Sequence, residues 1–471
     1  MRPWINWSRK GSIALAAGVI GIVIAGIGRP RPVAAEPADE VLPASSPAFT
    51  LGKALFNDTT LSNPAGMSCA SCHSESAGFT FPDQSVNLKM GPVPGIVPGR
   101  FGFRAPPTIG YAVFLPKGPP KFDPALQAYA GGLFWDGRAT DLANQATFPF
   151  QNPNEMNNLV HDLGDPESVV EAVEKGKNAA LFKQAYGSNI FKKSTAEVFQ
   201  DICDEIAAFE SSEEVSPFSS KYDAYLAGKA QLSEHEMIGL QLVTGSYAGR
   251  PGVGKPHKFA QCTLCHGIPT DPSTGPDIWS NSCFANIGVP KNLSNPYYNM
   301  TDSKSNPAGY NAAGAGYIDL GLGAIIYPQM GLPPGNMGKG SNGKGDFLAI
   351  NGTFKAPTLR NVDRRPSPTF VKCYMHNGVF KSLYDVVHFY NKRSLTNRDE
   401  AIDFTKANPY AGLKGDALFH TPEFPSPITL QNATGAVASQ DAQVGHLNLT
   451  HEEENEIVLF LQTLTDGYFK P

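Results

Sequence analysis

The stretch "GMSCASCHSES", residues 66–76, decides the reading of this chain. It holds Cys69, Cys72 and His73 in the spacing C-x-x-C-H, and "FAQCTLCHGIP" at 259–269 repeats it with Cys262, Cys265 and His266. In that pattern two thiols bond the macrocycle of a c-type haem and the adjacent imidazole ligates its iron. A zinc site calls for further clustered Cys or His, whereas two copies of C-x-x-C-H, each after a helical segment in a chain with an export signal, favour haem. The sequence therefore predicts two covalently attached c-type haems, with His73 and His266 as iron ligands.

The copies lie 193 positions apart, so they mark two units and not one multihaem cluster. Each follows a helical pattern, "FTLGKALFND" before the first and "QLSEHEMIGLQLV" before the second, where Ser233 and Glu236 form a capping box. A helix over 196–212 closes the first unit. Another over 451–465 closes the second, with Thr450 as N-cap, Glu453 as its capping-box partner and Gly467 past the end. Strand signal is weak throughout. The expected fold is mainly α: two cytochrome c-like domains, 45–225 and 226–471, joined through the linker-like "EEVSPFSSKYDAYLAGKAQ". The 47 Gly and 40 Pro imply long irregular loops, and residues 267–350 and 405–445 carry no periodicity.

The N-terminus has the form of an export signal. Arg2, Arg9 and Lys10 precede an apolar run from Ile13 to Gly28, and "PVAAEP" offers small residues for cleavage after Ala35. A run of 16 residues is short for a spanning helix, which needs about 20. Uncleaved, it would anchor the protein to the inner membrane; either way the body is periplasmic. The net charge of −5 becomes −10 once the five basic residues of 1–35 are removed. Such a surface attracts a basic electron-transfer partner and repels nucleic acid. Of the three other cysteines, Cys203 falls among Val198, Ile202, Ile206 and Phe209 as a buried apolar thiol, and Cys283 and Cys373 are free to pair in an oxidising compartment.

What fills the sixth iron position separates an electron carrier from a catalyst. After His73 no histidine occurs until His161, and Met90 lies in a Pro/Gly-rich loop, so the first iron is expected to be open. The segment "GGLFWDGRATDLANQATFPFQNPNEMNN" at 131–158 resembles the central signature of the bacterial di-haem cytochrome c peroxidases and their relative MauG. The resemblance continues through "FANIGVPKN" (284–292), "GTFKAPTLRNV" (352–362), "YMHNGVFKSLYDVVHFYN" (374–391) and "LTHEEENEIVLFLQTLTDGY" (449–468).

The resemblance implies roles. The first haem would react with peroxide, with Trp135 between the two haems and Gln145, Glu155 and Pro149 in the distal pocket. A carboxylate there can move the proton that O–O cleavage requires, and Gln145 can orient peroxide but cannot relay a proton. The gating histidine of many family members would fall near Lys89 and is missing. The sixth ligand of the second haem would be Tyr390, fourteen residues after His376, where ordinary peroxidases have Met and MauG has Tyr. A core-aromatic Tyr390 with His388 or a Met as ligand is the alternative. An interhaem calcium is also implied, although Ala105 replaces its asparagine.

These readings converge on a periplasmic di-haem peroxidase that reduces hydrogen peroxide with electrons from a small cytochrome c or cupredoxin. One alternative is a MauG-like enzyme that oxidises Trp or Tyr residues of a partner protein. Another, of a different class, is a non-catalytic di-haem electron-transfer protein.

Overall fold

The computed structural model describes residues 41–469 apart from 125, 127, 159–165, 247–259, 261, 268–275, 304–309, 330–349, 394–422, 424–444 and 446. The export segment and most of the two aperiodic loops lie outside the described residues. The described part is helix-rich, with strands only in two short antiparallel pairs.

Three helices frame the first unit: α1 (Pro47–Phe56), α2 (Leu142–Gln151) and α3 (Thr195–Glu210). Ser194 caps α3, and Glu197 returns the bond in a capping box. Its buried stripe is Val198, Ile202, Cys203, Ile206 and Phe209, as the periodicity predicts, and it packs on α1 and α2. The crossing of α1 on α3 is close because residue 52 is glycine: a Cβ there would overlap the Glu205 carbonyl.

The second unit repeats this device. Its helices are α4 (Lys221–Leu226), α5 (Glu234–Thr244), α6 (Leu383–Lys392) and α7 (His451–Gln462). The expected capping boxes at Ser233/Glu236 and Thr450/Glu453 are both formed. Helix α5 crosses α7 at Gly239, where a Cβ would overlap the Glu456 carbonyl. Leu242, Val243, Trp279, Ile457, Phe460 and Leu464 fill the core between them.

The segment read as a linker is an ordered joint. Val215 is buried in the first core, and Tyr222, on the Ser220-capped α4, is buried in the second. Its Ser, Pro and Gly content suggests a tether, but these two side chains anchor it on both sides. Buried polar contacts join the units further. Asp466 of the second accepts from Tyr111 of the first at 2.7 Å and from its own unit's Asn361 at 2.6 Å, while Arg360 ties α4 to the rest of the second unit through Asp223 with two bonds, of 2.9 and 3.0 Å. Four short strands also meet at this seam: β1 (Lys121–Asp123) with β2 (Ala128–Ala130), and β3 (Phe284–Ala285) with β4 (Phe354–Lys355).

The pairing considered for Cys283 and Cys373 is not formed. Cys283 is fully buried beside Cys265, whereas the Cys373 thiol faces Asn87 Oδ1 at 3.4 Å and the Gly91 carbonyl at 3.7 Å. Cys283 packs with Leu126 and Ala356 in a small apolar cluster to which Cys373 does not belong. Met90 follows a short helix, Gln84–Lys89, that the loop-like composition had hidden.

Candidate functional site

The two C-x-x-C-H motifs fold alike. In each a tight helical turn returns the histidine N–H to the first cysteine's carbonyl, His73 to Cys69 at 2.9 Å and His266 to Cys262 at 2.8 Å. The imidazoles are also oriented alike. His73 Nδ1 meets the Phe79 carbonyl at 3.0 Å, and His266 Nδ1 meets the Pro357 carbonyl at 3.0 Å. A backbone acceptor on Nδ1 fixes the tautomer with its proton there and leaves Nε2 as the ligand atom, the usual second shell of a metal-binding histidine. Burial pushes both imidazoles down, His266 to about 4, against the backbone bonds that favour the charged form, so both stay neutral. Two thiols outside any disulfide and one ligand nitrogen in each motif fit a c-type haem.

One large cavity opens at the first motif. Cys69, Cys72 and His73 line it together with Trp135, Gln145, Pro149 and Glu155. Helix α2 explains part of that gathering. Asp141 caps it by accepting from Asn144 N at 2.8 Å, and Leu142, Ala146 and Phe150 face the core. Gln145 and Pro149, one turn apart, both reach the cavity. Pro149 has no N–H for the Gln145 carbonyl, and the helix ends two residues later. The chain then turns tightly through 153–156, where Arg100 donates to the Pro153 carbonyl at 3.3 Å and to Asn157 Oδ1 at 2.9 Å, setting Glu155 on the wall.

Burial raises the Glu155 carboxyl; the Arg138 charge and a hydrogen bond with Asn152 oppose it without cancelling it. Among the lining residues His73 is the sole imidazole, and Lys89 and Met90 are not on the wall. The wall thioethers, Met67 and Met156, pack into the first core.

Trp135 donates its indole N–H to the Ala105 carbonyl at 2.8 Å. Its own carbonyl accepts from Lys355 N at 2.9 Å, and Ala356 N donates to Cys283 at 2.8 Å. Strand β4 and the two residues after it thus run from Trp135 to the His266 acceptor Pro357. Tyr390, on α6, is deeply set near Cys262, Cys265 and Cys283, and burial followed by those thiols pushes its phenol well up. His388, the alternative ligand, instead puts Nδ1 2.8 Å from Glu454.

Sequence reasoning missed four charged residues on the cavity wall, one of them Arg104. Arg138 stacks 3.6 Å from the Phe134 ring centre and bonds Asp136 at 2.8 Å. Lys355 directs Nζ at the Gly132 carbonyl, and burial pushes it down to about 7 against the pull of Asp136. Glu210 is raised to about 8 by burial. Arg138 and Lys355 sit inside the quoted family stretches, which is the signal that could have marked them.

The calcium expectation meets a different donor set. The Ala105 carbonyl is taken by Trp135, and the neighbouring Asp136 and Asp319 are held by Arg104 at 2.6 Å each. Burial would raise both carboxyls, but the guanidinium outweighs it and holds them below the usual range. These residues do not fit a calcium ion.

A cavity that joins paired thiols, a ligand imidazole, an acid with a raised pKa, an amide and an indole defines a haem-dependent oxidoreductase of the peroxidase kind. Residues 46–231 match the family model described as di-haem cytochrome c peroxidase. The methylamine utilization protein MauG of Paracoccus denitrificans is 29% identical over 442 residues, 93% of each chain. The cytochrome c551 peroxidase of Nitrosomonas europaea is 29% identical over 404 residues, 83% of this chain and 86% of the relative. The solved diheme peroxidase BthA from Burkholderia thailandensis superposes with a TM-score of 0.64 at 25% identity, covering 93% of both chains. Over most of its length the chain is thus similar both to MauG and to cytochrome c peroxidases, and its first unit matches the di-haem cytochrome c peroxidase model.

Proposed function

We propose that this chain is a periplasmic di-haem c-type peroxidase built from two cytochrome c-like domains, 45–225 and 226–471. Peroxide is handled at His73, and the second unit exchanges electrons. The observation that carries the reading is the meeting of Glu155, Gln145 and Trp135 on the cavity that Cys69, Cys72 and His73 also line. Haem attached there would supply an open iron position at which hydrogen peroxide binds and its O–O bond is cleaved.

Glu155 takes the proton of the nearer peroxide oxygen and returns it to the departing one, which leaves as water. Burial serves this by raising the carboxyl toward working pH, while Arg138 keeps the ionised form accessible. Gln145 holds peroxide in line by hydrogen bonding. Trp135 offers the aromatic path toward the second unit, where His266 and Tyr390 would hold the iron of the second haem. No calcium is required, because Arg104 and Arg138 together already balance the charges of Asp136 and Asp319. Electrons come from a small cytochrome c or cupredoxin drawn by the acidic surface.

The position of Tyr390 near the second thiol pair favours a second reading, in which a partner protein's Trp or Tyr is the donor, as in MauG. A phenolate oxygen on iron favours the oxidised metal and makes electron entry from a small carrier harder.

Peroxide consumption by the haem-loaded protein, with reduced cytochrome c as donor, tests the proposal. We expect Glu155→Gln to lower the rate by about 10²–10⁴, the range of general acid–base catalysis. An unchanged rate in that variant would remove Glu155 from the mechanism.

A further inference from the structure

Glu454 of α7 is fully buried, and among the described residues no lysine or arginine pairs with it. Four donors converge on its two oxygens instead. Asn391 Nδ2 stands 2.5 Å and His388 Nδ1 2.8 Å from Oε1, both from α6. The Tyr384 hydroxyl stands 2.7 Å and His451 Nδ1 3.2 Å from Oε2, and that hydroxyl is 2.6 Å from His451 Nδ1. Burial opposes ionisation, but these hydrogen bonds hold the carboxyl below its ordinary range. The His451 side chain is 78% exposed, so the cluster opens to solvent on one side.

We propose that His388, His451 and Glu454 form a binding site for one borderline divalent cation, zinc or copper(II). Donors at ~2.0–2.1 Å around a tetrahedral ion stand about 3.3 Å from one another. The two nitrogen-to-oxygen separations of 2.8 and 3.2 Å already lie close to that spacing. Both imidazoles present the same nitrogen, Nδ1, toward the carboxylate. Binding asks each to carry its proton on Nε2, a tautomer that neutral histidine adopts readily. Two imidazoles with one carboxylate suit zinc and copper better than magnesium or calcium, which prefer all-oxygen sets. Asn391 and Tyr384 stay on the carboxylate as the outer donors that orient a metal-bound acid. The ion also brings the positive charge that the buried Glu454 lacks. It would tie α6 to α7 across the only buried carboxylate these two helices share with both histidines, two residues before Tyr390. The site stands whether or not the peroxidase reading does.

The test uses the mature haem-loaded protein, treated with EDTA and titrated calorimetrically with zinc chloride. We expect one saturable equivalent and a Tm that climbs with free zinc, as ligand linkage requires. His451→Ala, at an exposed position, and His388→Gln should each weaken binding by about tenfold or more. His235→Ala, in the separate group formed with Glu452 and Glu456, should leave the affinity unaltered. The absence of saturable binding would overturn the proposal, as would zinc affinity that survives His451→Ala or that falls with His235→Ala. Should His388→Gln fold poorly, the His451→Ala comparison decides alone.

Discussion

The backbone N–H of Lys355 donates to the carbonyl of Trp135 at 2.9 Å. Two residues on, the Pro357 carbonyl holds the His266 imidazole. A run of three residues therefore connects the indole on the first cavity to the proximal histidine of the second motif. Replacing Trp135 by Phe keeps an aromatic ring but leaves the Ala105 carbonyl without its donor. We expect the first reaction with peroxide to survive and donor oxidation to slow by tenfold or more, about 1.4 kcal/mol or above in the barrier. Stopped-flow spectra and steady-state donor oxidation, measured side by side, separate the two; equal slowing of both would assign Trp135 to the first cavity alone.

Tyr390 lies near the second thiol pair, and His388 is turned to Glu454. Tyr390→Phe should therefore change the ferric absorption and EPR signals of the second haem and spare those of the first. An unaltered spectrum would mean that another group holds that iron.

Arg104 binds Asp136 and Asp319 in a buried cluster. Arg104→Met leaves Asp319 without its guanidinium and Asp136 with Arg138 alone, and should cost about 3–5 kcal/mol, read as a lower midpoint in urea. Both carboxyls are held below their unfolded values, so their contribution is complete at neutral pH. It is lost only as pH falls below the ordinary carboxylate range and through the depressed native values. Acid titration of stability should show that loss in the wild type and a much smaller one in Arg104→Met.

The same cluster bears on calcium. Extensive dialysis against EGTA should leave both the haem spectra and the peroxide turnover unaltered. Loss of either, restored by added calcium, would show that an ion is held by groups other than those described here.

Much of this architecture is legible in the sequence because it is local. The C-x-x-C-H spacing, the stripe from Val198 to Phe209 and the boxes at Ser233/Glu236 and Thr450/Glu453 depend on neighbours within a turn or two. The gathering of Gln145, Pro149 and Glu155 with His73 was legible only through family likeness, since no spacing rule brings residue 155 back to residue 73. Lys355, Arg138 and Glu210 escaped notice because a charge in a short loop or helix end reads as surface, and their burial arises from the other unit or from the cavity itself. The joint at 213–231 was legible as the link between units, but its anchoring was not. Its composition suits a tether, whereas two side chains, Val215 and Tyr222, anchor it in separate cores.

The central claim is that the cavity at His73 is open to peroxide without prior reduction. His73 is the sole imidazole on its wall among the described residues, and Lys89 and Met90 are absent from that wall. The most direct measurement mixes the fully ferric protein, with no reductant, with one equivalent of hydrogen peroxide in a stopped-flow spectrometer. The wild type should show an immediate change in the Soret band, slowed by about 10²–10⁴ in Glu155→Gln. A ferric wild-type protein that stays spectrally silent until an electron is added would contradict it.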